Sequence, residues 1–122
     1  MNKQAFLSAL TLKRDSVEVD GIGTVHFREF TAREAAIFEA MAADTEDTVN
    51  RTVKSGEQLF ELSLYTIVTC MTDEEGHQFW EADDKALLQD IPKSVIEQIA
   101  DAILELSGMG KKRAAPKPAR GK

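Results

Sequence analysis

Residues 54–71 carry more apolar side chains than one face of a helix can hold, and that surplus constrains the fold more than any other feature of the chain. Leu59, Phe60, Leu62, Leu64, Tyr65, Ile67, Val68, Cys70 and Met71 all fall within it. Phe60, Leu64, Ile67 and Met71 follow the three-and-four spacing of a helix. The β-branched residues among Thr66, Ile67, Val68 and Thr69 favour a strand locally. The length of the segment and its internal spacing favour helix. A helix apolar on nearly all sides lies in the middle of a core or under another chain. The rest of the sequence must then be searched for what covers it.

With 122 residues there is enough chain for one domain with a core of its own. Glu57 and Glu61 interrupt even the richest apolar segment, so no run reaches the roughly 18 to 20 uncharged residues of a membrane span. The opening apolar run is short, is broken by Ser8 and lacks a small-residue cleavage site, so no secretory signal is expected. Cys70 is the single cysteine, which rules out an internal disulfide and reads as a small buried residue in a reducing compartment.

In chain order, Phe6, Leu7 and Leu10 make a short amphipathic helix over residues 2–12. The period then changes to two: Val17 and Val19, then Val25 and Phe27 after a turn at Gly21 and Gly23. This predicts a β-hairpin with those four residues buried and Glu18, His26 and Arg28 toward solvent. Thr31 and Glu34 have the spacing of a capping box, with Phe30 placed to staple against Ala35, and a helix follows to about Ala43. The polar stretch 44–51 reads as a loop. After the central helix come an acidic turn at 72–76 and a short extended piece whose Phe79 and Trp80 pin the turn to the core. A short helix with Leu87 and Leu88, capped by Asp83 or Asp84, follows. Pro92 opens a last helix with a stripe of Val95, Ile96, Ile99, Ala102, Ile103 and Leu106, stopped by Gly108. The predicted class is α+β, mainly α-helical, with four to five helices and an N-terminal β-hairpin. It forms a single globular domain over residues 1–108, followed by a basic disordered tail over 109–122.

Charge divides the same way. All 21 acidic residues precede Gly108, and Lys111, Lys112, Arg113, Lys117, Arg120 and Lys122 follow it. The body is strongly negative and repels nucleic acid, which leaves only the tail to attract it, by charge and without aromatic residues for stacking. A solubilising end is the other reading of that tail.

No catalytic constellation is present, so an enzyme is not expected. His26 and His77 lack the spacing of a metal pair, and Cys70 sits among apolar neighbours that oppose a thiolate. Gly21 and Gly23 lack the third glycine of a dinucleotide fingerprint. Asp73, Glu74 and Glu75 do not follow the ligand pattern of a calcium loop. Neither metal nor cofactor is expected.

The glycine-turned hairpin leading into Thr31 and Glu34, the apolar helix, the acidic turn before Phe79 and Trp80, and Ile91-Pro92 ahead of an amphipathic helix stand in an order that resembles the tail assembly chaperones of long-tailed, siphovirus-type bacteriophages. The resemblance spans roughly residues 3–107. It implies a non-enzymatic protein of the host cytoplasm that binds the tape measure protein and keeps it soluble until the tail tube polymerises, and that is absent from the mature virion. It also implies a longer form made by programmed frameshift, through which the tail tube protein is contacted; Gly110 with Lys111, or Gly121 with Lys122, marks a possible slip site. A chaperone that repeats along an apolar client needs apolar surface, a charged exterior and weak self-association. The candidate residues for client binding or self-association are Phe6, Leu7 and Leu10 on the first helix and Leu59, Phe60 and Leu64 on the central one, with core packing as their other reading. Three other readings remain open: a small virion structural protein such as a tail adaptor or completion factor, a nucleic-acid-associated protein acting through the basic tail, and a small α+β interaction domain of unknown partner.

Overall fold

The computed structural model describes residues 1–44, 46–47, 52–53 and 56–109. Its elements in order are α1 (Lys3–Ala9), β1 (Arg14–Val19), β2 (Gly23–Arg28), α2 (Ala32–Asp44), β3 (Glu46–Asp47), β4 (Thr52–Val53), α3 (Gly56–Cys70), β5 (Met71–Thr72), a 3₁₀ helix (Ala82–Asp90) and α4 (Lys93–Leu106). The mainly helical α+β class is as predicted.

The period-two segment forms the expected hairpin, with Val17 opposite Val25 and Val19 opposite Gly23. Gly21 and Gly23 hold φ of +83° and +114°, which side chains with a Cβ rarely adopt, and this is why the turn carries glycine. Alternation then puts Val19, Val25 and Phe27 in the core, with Val17 half-buried beside them. A third strand joins this sheet. Immediately after α3 ends, Met71 and Thr72 pair antiparallel with Phe27 and His26, giving the order β1-β2-β5. Two residues are too few to show a period, so the sequence gives no sign of this strand.

The capping box at α2 is present in both directions. The Thr31 Oγ1 accepts from the Glu34 amide at 3.2 Å, and the Glu34 Oε1 accepts from the Thr31 amide at 2.9 Å. Phe30 is buried just ahead of it, with its ring 5.7 Å from that of Phe38 and 5.9 Å from that of Tyr65. The predicted loop at 44–51 contains β3, which pairs antiparallel with β4; Thr45 and residues 48–51 lie outside the described residues.

α3 is the centre of the core. Leu64, Ile67 and Cys70 are fully buried, packed with Ile96, Ile99, Ala100 and Ile103 of α4, Leu88 of the 3₁₀ helix, Phe30 and the sheet face. Thr66 is buried too, and its hydroxyl donates to the Leu62 carbonyl at 2.8 Å, so no polar group is stranded there. Trp80 is half-buried against this core, with its indole N–H directed at the Met71 sulfur, 3.1 Å away. Phe79 departs from expectation. It is half exposed, resting edge-on against Trp80, so only Trp80 anchors the turn. The 3₁₀ helix is capped by Glu81 and not by Asp83 or Asp84; Asp84 serves from three residues on, its carboxylate accepting from the Glu81 amide at 2.9 Å. Leu88 turns inward and Leu87 outward.

α4 has the predicted stripe and stop. The Met109 amide donates to the Leu104 carbonyl at 2.7 Å and the Gly108 amide to the Glu105 carbonyl at 3.1 Å, with Gly108 at φ +80°. That pair of bonds is a Schellman closure, and Leu104 and Met109 both pack on the core beneath it. The predicted basic tail beyond Met109, including Gly110, Lys111, Gly121 and Lys122, lies outside the described residues.

Candidate protein-binding surfaces

The six candidate residues divide into three environments. The first is α1. Asn2 caps it, its side-chain oxygen accepting from the Ala5 amide at 2.8 Å, and the helix closes at Ala9, three residues short of the predicted end. Leu10 already has extended backbone. No residue of α1 is buried, and Phe6, Leu7 and Leu10 are 51%, 63% and 58% exposed. Leu12, which the sequence reading passed over, is exposed as well.

The second environment is a groove between the first half of α3 and the start of α4, with a volume of about 450 Å³. Leu59, Phe60, Ile91 and Ile96 give it an apolar floor, and Gln89 and Glu97 are among its polar margins. Leu59 is 43% exposed here, while Phe60 is half-buried and braced by the core. Ile91, half-buried, escaped the sequence reading as a groove residue, and Ile96, a buried core residue of the α4 stripe, forms the bottom of the groove. The break at Pro92 is what brings them beside α3, and such a breaker between two apolar residues was the available signal.

The third environment is the core itself, and it claims Leu64. That side chain is fully buried, so as a contact for another protein it is corrected to a core residue. Leu59 and Leu64 are five residues apart, or about 500° around a helix at 3.6 residues per turn, which puts them on different faces. The covers supplied by α4 and the sheet fall on the Leu64 side.

One polar cluster couples these elements. Arg28, predicted to be solvated, instead reaches from the end of β2 to the start of α2 and the end of α3. Its Nη1 and Nη2 lie 2.7 and 3.1 Å from the two Glu34 oxygens, and Nη2 also donates to the Thr69 carbonyl at 2.9 Å. Burial pushes the Glu34 carboxyl up, but the hydrogen bonds from Arg28 and the Thr31 amide, with the Arg28 charge, outweigh it and hold Glu34 below the ordinary carboxylate range. Cys70 lies beside this cluster, and burial pushes its thiol up to about 12 despite the nearby guanidinium. A thiol so held is protonated at neutral pH and is not a nucleophile.

His77 is exposed on the acidic turn, its Nδ1 3.4 Å from Asp73 and 3.7 Å from Glu75. Among the described residues no group of three His, Cys, Asp or Glu side chains is placed to hold a metal, and no helix is long and apolar enough to cross a membrane. What the arrangement offers is two exposed apolar surfaces on an acidic body.

No protein-family profile matches the chain, and no curated protein sequence does. Among solved structures, that of the bacteriophage HK97 tail assembly chaperone is similar over 86% of this chain and 98% of its own, with a TM-score of 0.60 at 14% sequence identity. The chain has the fold of that chaperone.

Proposed function

We propose that the protein is a phage tail assembly chaperone that binds the tape measure protein and keeps it soluble until the tail tube forms around it. The shared fold is the observation that carries this reading, because the likeness runs through nearly the whole of both chains and not through one common motif. The surface chemistry is compatible with it. Exposed apolar side chains on α1 and in the groove can shield an apolar helical client, and a net-negative body keeps the loaded complex from aggregating. On this reading the protein acts in the host cytoplasm without a cofactor, self-associates along its client and leaves before the virion is complete. A longer frameshifted form would recruit the tail tube protein, and a slippery heptamer in the gene at the codons of Gly110 and Lys111, or of Gly121 and Lys122, is its required trace.

The test is co-expression with the tape measure protein of the same phage. The tape measure protein should move into the soluble fraction and co-purify with this protein. Solubility unchanged by co-expression refutes the client assignment. Mass spectrometry of purified virions separates this role from that of a structural tail protein, since the chaperone should be absent from them.

A further inference from the structure

We infer that the basic tail, residues 110–122, folds back along α4 and lays Pro116, Lys117 and Pro118 in the groove between α3 and α4 of the same molecule. Leu59, Phe60, Ile91 and Ile96 line that groove, which has a volume of about 450 Å³. An apolar groove with an aromatic wall suits a Pro-x-Pro segment, because the polyproline conformation is preformed and loses little entropy on docking. Pro116, Lys117 and Pro118 make such a segment, with Ala114, Ala115 and Ala119 on either side. Reach sets the register. Ile96 lies ten residues before Leu106, the last of α4, which is about 15 Å of helix. Pro116 lies seven residues beyond Met109, about 22 Å of polyproline chain, so it attains the groove with slack for the turn at Gly108.

Charge marks the path. Glu97, Asp101 and Glu105 are exposed at successive four-residue steps, so they form one acidic row along α4 from its last turn to the rim of the groove. That row is set against its own helix. Like charges four residues apart repel, acids toward a C-terminus oppose the helix dipole, and the last turn of α4 has no basic residue. The first cations after it are Lys111, Lys112 and Arg113. A chain doubling back at Gly108 brings these to Glu105 and Asp101, and Lys117 to the Glu97 end. Lys93, in the groove lining, is itself paired with Glu97 at 2.8 Å and presents little bare positive charge to the tail. Tethering holds the tail at a roughly millimolar effective concentration beside the groove, so weak exposed pairings suffice. Whatever else enters the groove must then displace the tail. The contact is made within one chain and does not rest on the client assignment.

The experiment is paramagnetic relaxation in the full chain. Ala119→Cys supplies an exposed thiol for a nitroxide, while Cys70, buried and protonated, stays unlabelled, as mass verifies. In isotope-labelled protein the amide signals of Leu59, Phe60, Ser63 and Gln89 should fall below about half their intensity, since a tethered segment held at several points is mostly docked. Those of Glu75 and Gly76, beyond the far end of α3, should keep theirs. High salt, which screens exposed pairs, should return the groove signals, and so should Asp101→Lys with Glu105→Lys. Both positions are exposed, circular dichroism checks the fold, and the salt arm stands whether or not that variant folds. Adding Lys111→Glu, Lys112→Glu and Arg113→Glu to the reversed row should bring the broadening back. The inference is overturned if the groove signals fade no more than that of Gly76, or if they stay broadened both in high salt and in the reversed row. It is overturned equally if a spin-labelled chain broadens the groove of a separate isotope-labelled copy as strongly as its own, which would put the tail in a neighbour's groove.

Discussion

Replacing Glu34 with glutamine isolates the interaction that ties β2 to the start of α2 and the end of α3. The glutamine keeps an oxygen to accept from the Thr31 amide, so the helix cap survives while the charge is removed. What is lost is the two-pronged pairing with Arg28, at 2.7 and 3.1 Å. The two side chains are only 20% and 23% exposed, which places the pair between the ordinary surface case, about 0.2–1 kcal/mol, and the rupture of a fully buried pair, about 3–5 kcal/mol. Arg28 retains its bonds to the Thr69 and Glu29 carbonyls, so its charge is not left unsolvated. The expected loss is about 2 kcal/mol, or about 8 °C in Tm for a chain of this size. Arg28→Met should cost at least as much, and the double variant less than the two single losses combined, with a coupling of about 1–2 kcal/mol. The pH dependence has a definite sign. Because the folded carboxyl titrates below its unfolded value of about 4.3, its stabilisation is fully present above that pH and is lost as pH falls through the folded pKa. Urea unfolding followed by circular dichroism should therefore show a wild-type advantage that is constant from pH 7 to about 5 and declines as pH falls below the unfolded value of about 4.3. An advantage under about 0.5 kcal/mol at pH 7, or one that persists undiminished to pH 3, refutes the reasoning.

Leu64→Ala removes three carbons from a fully buried site, worth about 2.4 kcal/mol of transfer plus a cavity term, so a loss of about 3–4 kcal/mol is expected by urea unfolding. Leu59→Ala, five residues earlier on the same helix and 43% exposed, should cost less than about 1 kcal/mol; equal losses would contradict the assignment of one to the core and the other to the surface. Gly108→Ala must hold a Cβ at φ +80°, and thermal unfolding should show it destabilised by about 1 kcal/mol, whereas a neutral outcome would mean that the Schellman closure is dispensable. Cys70 should resist iodoacetamide at pH 8 in the folded protein and react at once in urea, as followed by mass; rapid labelling of the native chain would place the thiol outside the core.

Local chemistry determined much of this fold from the sequence alone. Alternation from Val17 to Phe27, the Thr31 and Glu34 spacing, the break at Pro92, the stripe of α4 and the stop at Gly108 each act within a few residues, so each was legible before any packing was known. The surplus of apolar residues in α3 likewise announced a central helix. Which of its faces stayed open was a tertiary matter. Leu59 and Leu64 have the same chemistry, and only the placement of α4 and the sheet made one a surface and the other the core. The same holds for Arg28, a period-two solvent position that packing recruited to Glu34 and the end of α3, and for β5, whose two residues became a strand because α3 delivers them beside β2. α1 is the converse case. Its amphipathic spacing was plain, but nothing in that spacing specified that the chain would leave its apolar face uncovered, because what covers a face depends on elements far away in the sequence.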